Sequence, residues 1–195
     1  MSAWADQSGN AYDLANATSG NQPLLVSNEL NGQPIIRFVR SRPDYLFRVT
    51  TPALSQPLTI VYVAEYAAVP ADDQSFIGSV GNNLNIGPGG TGGVLDGLER
   101  MYGGSEISGA TDIQNSWLWF EASYNGASSS LRIGNVEDAA GDAGALALDG
   151  LIIGMFNTSA GPTSADLAEV LIYGHTLDAG ERTQLDAYFA HQYAI

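Results

Sequence analysis

Acid–base chemistry on a polysaccharide needs two carboxylates held on one face of a site, a few ångströms apart. The acidic residues in strand-like runs do not supply such a pair along any one strand. Glu65 and Glu121 each stand alone in an apolar run. Asp166 and Glu169 are three residues apart, which in a regular strand sends them to opposite faces. A serine triad needs a histidine as its base. The two histidines, His175 and His191, sit before and near the end of the C-terminal segment. A cation at a helix C-terminus is favoured by the helix dipole, a structural role for His191. Neither histidine has a second ligand at zinc spacing. The chain has no cysteine, so a thiolate nucleophile, a zinc–thiolate site and a disulfide are excluded. These absences read as a protein that is not an enzyme.

Binding chemistry is better represented. A hard cation takes oxygen ligands from carboxylates, amides and carbonyls. Asp6, Asn10 and Asp13 cluster near the N-terminus, Asp72 and Asp73 in a later loop, and Asp138 and Asp142 in a third. None has EF-hand spacing. The reading requires no cofactor, with calcium as the metal these oxygens would suit. Asp and Asn also bond backbone groups in turns, and that role is preferred for Asp6, Ser8 and Asn10. Trp117 and Trp119 share one face of a strand and Tyr102 stands beside Gly103 and Gly104. An aromatic face can carry the apolar side of a sugar, although the two tryptophans are read first as core. Arg37, Arg40, Arg42 and Arg48 gather four of the seven basic residues in a short span. They could fork onto an acidic ligand, and the simpler reading is pairing with acidic neighbours such as Asp44.

These residues need a scaffold of strands. Leu58 to Tyr66 alternates with apolar residues on both faces, which predicts a central strand. Residues 34–39 and 45–49 predict two more. Ser75–Val80 and Asn83–Ile86 predict a hairpin about Gly81-Asn82, and residues 87–97 a loop. Leu98–Tyr102, Trp117–Tyr124, Ser130–Val136, Leu146–Phe156 and Asp166–Tyr173 predict further strands, with 137–145 as an acidic loop. At the end, Asp178 as N-cap and Glu181 at N3 predict a capped helix, with Leu185, Tyr188, Phe189 and Tyr193 as its apolar stripe.

The 195 residues suit one domain, and a 45% hydrophobic fraction supports a full core. The 23 glycines favour many turns and short strands. The fold expected is all-β, an antiparallel β-sandwich with one C-terminal α-helix, over residues 1–195. The net charge of −14 repels nucleic acid and anionic membrane. No run approaches the ~20 apolar residues of a membrane span, and no signal peptide is visible at the N-terminus.

Trp4-Ala5-Asp6-Gln7-Ser8-Gly9-Asn10, then Asp13-Leu14 and Gln22-Pro23, resembles the opening motif of LamG-like jelly-roll domains of the concanavalin A-like lectin/glucanase fold. Asn31-Gly32-Gln33-Pro34 before Ile36-Arg37-Phe38 is similar to the next block. Ala165 to Tyr173, then Leu177 and Glu181-Arg182, is similar to the family's ending. Members usually carry a strand before the Trp motif, so by comparison a sheet edge is expected to be open to another chain. The resemblance implies a jelly roll of the kind found in phage virion proteins and secreted bacterial proteins, where such domains adhere, decorate or bind carbohydrate.

The expected function is therefore a non-catalytic binding or structural module. First comes a virion-associated decorating or adhesive protein, partnered by other virion or surface proteins or by copies of itself, and able to bind glycans. The alternative is a carbohydrate-binding module of a secreted bacterial system, and third a glycan-active hydrolase or lyase. The expected location is a virion surface or the extracellular space.

Overall fold

A computed structural model describes residues 1–67, 75–81, 84–89, 97–156 and 161–195, without the side chains of 50–52. Asp72, Asp73 and Asn82, and most of the 87–97 loop, lie outside the described residues. The strands in chain order are β1 (Ala3–Trp4), β2 (Leu14–Ala15), β3 (Leu24–Leu30), β4 (Gln33–Phe38), β5 (Leu46–Leu54), β6 (Leu58–Tyr66), β7 (Ile77–Gly78) and β8 (Asn85–Pro88). Then follow β9 (Leu98–Tyr102), β10 (Glu106–Asp112), β11 (Trp117–Tyr124), β12 (Ser129–Ile133), β13 (Val136–Gly141), β14 (Leu148–Ile153), β15 (Ala165–Tyr173) and the helix α1 (Ala179–Tyr193). They form two antiparallel sheets. One runs β1-β2-β5-β14-β7-β8-β9-β10 and the other β13-β12-β11-β6-β15-β4-β3. The fold is an antiparallel β-sandwich with a single C-terminal helix, and no helix of the described residues is long and apolar enough to cross a membrane.

β6 shows why its sequence is apolar on both faces. Leu58, Ile60, Tyr62, Ala64 and Tyr66 point into the core between the sheets. Val61 and Val63 point the other way, into a second cluster with Trp119, Leu185, Phe189 and Tyr193. That second cluster exists because α1 lies across the outer face of the seven-stranded sheet. The helix starts with a full capping box: Asp178 accepts from the Glu181 N–H at 2.9 Å, and Glu181 accepts from the Asp178 N–H at 2.8 Å. Leu185, Phe189 and Tyr193 are its buried residues. Tyr188, expected in the stripe, is 41% exposed, because a 3.6-residue period turns it to the edge of the contact face. Arg182 reaches down to the fully buried Glu121 and forks onto its carboxylate at 2.8 Å through both Nε and Nη2.

Three stretches differ from the expectation. Residues 136–141 are strand β13, not part of an acidic loop, because Ser129–Ile133 offers it an edge to pair with. β3 and β10 carry too little alternation to be read as strands and are defined by their neighbours β4 and β9. Three of the edge strands, β3, β10 and β13, are bulged or tied. β3 is bulged between Val26 and Leu30, with Asn28 at φ 57°. At the opposite side the edges β10 and β13 are tied together, as Asp138 accepts from the Ala110 N–H at 2.8 Å and the Thr111 hydroxyl at 2.6 Å.

Besides Asp44 and Glu121, a third acid is buried. Alternation along β9 puts Leu98, Arg100 and Tyr102 outward and Glu99 and Met101 inward. Glu99 is fully buried, accepts a hydrogen bond from the Tyr62 hydroxyl, and Tyr62 in turn lies 2.9 Å from the Tyr66 hydroxyl. Burial pushes its carboxyl up to about 8, so at neutral pH it is mostly an uncharged acid.

Candidate functional site

The outer face of the seven-stranded sheet carries one row of side chains that sequence order hides. Cross-strand pairing aligns Leu24 of β3, Arg37 of β4, Asp166 of β15, Glu65 of β6 and Trp117 of β11. Residues directly opposite one another in antiparallel strands share a face. Two carboxylates, Glu65 and Asp166, therefore meet from two strands. A second surprise comes from β15. Its register slips between Leu167 and Glu169, so Asp166 lies opposite Glu65 and Glu169 opposite Val63. Glu65 and Val63 are two apart, and so Asp166 and Glu169 share the outer face. The opposite-face expectation assumed a regular strand, and the bulge overturns it.

Each charge in the row has a different environment. Arg37 donates to Asp166 through Nε at 2.8 Å and Nη2 at 2.6 Å, and Nη2 also reaches Glu29 at 3.2 Å. Its protonated form is held firmly by Asp166. Glu169 accepts from the Tyr188 and Tyr193 hydroxyls of α1 at 3.2 and 2.9 Å. Glu65 is half-buried and has no hydrogen-bond donor among the described residues. Burial first, and then the charge of Asp166, pushes its carboxyl above the ordinary range, while Arg37 opposes. A cleft of about 380 Å³ opens here, lined by Arg37, Glu65, Asp166, Asn115 and Ser164 among others. Asn115 sits in the left-handed region at φ 54° and anchors to Tyr66 O through its N–H at 2.8 Å. Its side-chain amide has no partner among the described residues. The cleft thus presents a half-buried carboxylate and an exposed amide without intramolecular partners among the described residues, a hydroxyl and a fixed guanidinium–carboxylate fork, with the half-buried Trp117 next in the row.

The other candidate residues are dispersed. The Arg40 N–H donates to Ser164 Oγ at 3.1 Å, which places Arg40 at the cleft rim. Arg42 forks onto the buried Asp44 at 2.9 and 2.7 Å, so its guanidinium is engaged. Trp119 is 4% exposed beneath Phe189, with ring centroids 5.5 Å apart, so the helix covers the face a sugar would use. Tyr102 is on the outer face of the other sheet, away from the cleft. The N-terminal oxygens are occupied by their own loop. Asp6 accepts from the Ser8 N–H at 2.8 Å, the Ser8 hydroxyl at 2.8 Å and the Tyr12 N–H at 2.9 Å, and these bonds hold its carboxyl below the usual range. Asp13 accepts from the Asp6 N–H at 2.8 Å, and Asn10 donates to Ser8 Oγ at 2.8 Å. Among the described residues no three Asp, Glu or His side chains are grouped to hold a metal ion.

Sequence order gives no direct sign of the Glu65–Asp166 pair, which needs the register of β6 against β15. Nor does sequence spacing bring Tyr173 and Tyr188 together. They border a second cleft of about 400 Å³ between α1 and the sheet.

No protein-family profile matches the chain, and no curated protein matches it. Solved structures do match. A Bacteroides ovatus protein whose proposed role is carbohydrate binding superposes with a TM-score of 0.59 at 15% identity, over 73% of this chain and 43% of that one. Trypanosoma rangeli sialidase, in complex with the inhibitor DANA, gives 0.69 at 13% identity, over 95% of this chain and 30% of that one. The HCR/D-Sa-GBL1/C chain gives 0.61 at 14% identity, over 98% and 51%. This chain spans from under a third to about half of those proteins. At such identities the likeness is one of fold, a β-sandwich.

Proposed function

We propose that the chain is a non-catalytic glycan-binding domain that works outside the cell or at a surface, and that the Arg37–Asp166–Glu65 cleft is its recognition site. The observation that carries this reading is the cleft's polar inventory. Glu65 and Asn115 offer an acceptor and a mixed donor–acceptor with no intramolecular partner among the described residues, beside a fork that is already fixed. Sugar hydroxyls are the ligand groups that satisfy such a set without adding charge. With Glu29 and the rim residue Arg40 counted, the cleft holds three carboxylates against two guanidinium groups, so neutral glycans are favoured over acidic ones. Pairing of Arg37 and Arg42 with aspartates supports the simpler ion-pair reading of those two arginines. Likeness in fold to a protein with a proposed carbohydrate-binding role agrees with this reading.

The test is a glycan array in the presence of calcium and again with a chelator, followed by titration of the best neutral hit. Glu65→Gln and Asn115→Ala are each expected to weaken binding about tenfold, the value of a hydrogen bond to a charged or otherwise unsatisfied group. Glu65→Gln should leave the denaturation midpoint unchanged or slightly raised, since it removes a half-buried charge that faces Asp166. Silence across the array sinks the proposal. The Glu65–Asp166 pair favours one second reading, hydrolysis, because two carboxyl groups in unlike environments are the minimum for that chemistry. Both Asp166 oxygens are engaged by Arg37, which argues against it. A reducing-end assay on polysaccharides decides: turnover abolished by Glu65→Gln would replace binding with catalysis.

A further inference from the structure

The cleft at the other end of β6 has a different chemistry. Asp166 pairs with Glu65 and Tyr173 with Thr59. The two clefts are therefore six residues apart along β6, roughly 20 Å at the usual rise. The floor of the second cleft is apolar, made by Leu177 and Leu185, which are 4% and 9% exposed. Tyr173 and Tyr188 wall it, and Glu181 and Gln184 stand at its rim. The walls are held in place. The Tyr188 hydroxyl donates to Glu169 at 3.2 Å, and the Tyr173 ring meets His175 edge-on at 5.7 Å. His175 is in turn 2.9 Å from Glu181 Oε1.

Two polar groups at this cleft lack an intramolecular partner among the described residues, the Tyr173 hydroxyl and the Gln184 amide. Burial first, then Glu169 and Glu181, pushes the Tyr173 phenol above its ordinary value, so it remains a neutral donor. Glu181 is held below the ordinary carboxylate range by the Asp178 N–H and by His175, so it stays charged. An apolar floor, two fixed aromatic walls and a rim of one phenol, one amide and one carboxylate match a pyranose, which has an apolar C–H face and a ring of hydroxyls. Glu169 and Glu181 disfavour a sugar that is itself anionic.

We infer that the Tyr173–Tyr188 cleft is a second sugar subsite, specific for a neutral pyranose and distinct from the Arg37 cleft. The inference deepens the glycan-binding reading. It is independent in its residues, because nothing in this cleft contacts the first.

Isothermal titration of the intact chain with neutral gluco-, galacto- and manno-oligosaccharides, and with sialylated and sulfated comparators, tests it. Amide chemical shifts of Leu177, Gln184 and Leu185 give the location. Tyr188→Ala is expected to weaken this binding about tenfold or more, as loss of an aromatic platform does, while Tyr188→Phe keeps most of it. Tyr173→Phe, which keeps the ring and loses the donor, should weaken it several-fold. Glu65→Gln should leave these shifts intact. The inference is overturned if Tyr188→Ala retains full affinity with the wild-type circular dichroism spectrum. It is also overturned if the shifts appear only around Glu65 and Asn115, in which case the glycan-binding reading stands alone. A preference for sialylated or sulfated ligands at this cleft overturns the neutral class. No shifts at either cleft with any ligand removes both.

Discussion

Arg182→Ala is expected to lower the unfolding free energy by about 3–5 kcal/mol, the usual result of stripping the partner from a buried charge. Glu121 is fully buried in β11 and takes its charge compensation from Arg182 through three hydrogen-bond contacts of 2.8–3.1 Å. Apart from Arg182, its hydrogen-bond donor is the Ser123 hydroxyl at 3.0 Å. Without Arg182 the buried carboxylate loses its charge partner, and leaving it uncompensated is costly. The pair also fixes the start of α1 over β11, so its loss should loosen the cover of Trp119. Urea unfolding measures the effect, and for a domain of this size it corresponds to a fall of roughly 6–20 °C in Tm. The double change Glu121→Leu with Arg182→Met should recover much of the loss, because a buried ion pair replaced on both sides by apolar groups is often neutral. A single-variant loss below about 1 kcal/mol would mean that solvent reaches Glu121, and would refute the argument.

The second large effect is a stability that falls with rising pH across the neutral range. Glu99 is raised from an ordinary value of 4.5 to about 8 in the folded chain by burial, against a smaller opposing effect of the Tyr62 hydroxyl. Between these two values the unfolded chain has released the proton and the folded chain still holds it. The native state then binds more protons, so stability is fullest below about pH 4.5 and is lost progressively up to about pH 8, at roughly 1.4 kcal/mol per pH unit. Several kcal/mol are at stake. The groups facing Glu99 are Tyr62 and Tyr66 from β6, Tyr124 from β11 and Asp138 from β13. The tyrosines titrate far above this window. Asp6 and Glu181 are lowered from their usual values and act below it, in the opposite sense. Unfolding free energies from urea titrations at pH 5 and pH 8 should differ by several kcal/mol in the wild type. Glu99→Gln, which keeps an acceptor for Tyr62, should flatten most of that slope and be more stable than the wild type at pH 8. A flat wild-type profile would show that Glu99 is solvated in the folded chain.

Local pattern determined much of this protein. The two-faced alternation from Leu58 to Tyr66 marks the central strand to the residue. Asp178 and Glu181 mark the helix start, because a capping box is written in four consecutive residues. The acidic, lysine-free composition and the absence of cysteine set the charge and closed off several chemistries. The run of short strands with turns between them leads to a sandwich, and a β-sandwich is the fold the solved structures share with this chain.

What only the tertiary structure decided is which distant residues meet. Alternation assigns a residue to one of two faces but cannot say what stands opposite it, and a single bulge reverses the assignment downstream. Asp166 and Glu169 are the case in point: the slip after Leu167 puts both on one face, and register then sets Asp166 beside Glu65. Glu99 looks like any surface acid in Leu98–Tyr102, and its burial follows from the partner sheet that covers that face. Trp119 and Tyr188 part for the same reason. The helix that packs on the outer sheet covers the tryptophan and leaves the tyrosine at the rim of a cleft. That Glu65 and Glu121 each stand alone in their strands was legible in the sequence, and that β15 carries two acids on one face was not. The Glu65–Asp166 pair across two strands is a product of long-range pairing, which no local spacing encodes.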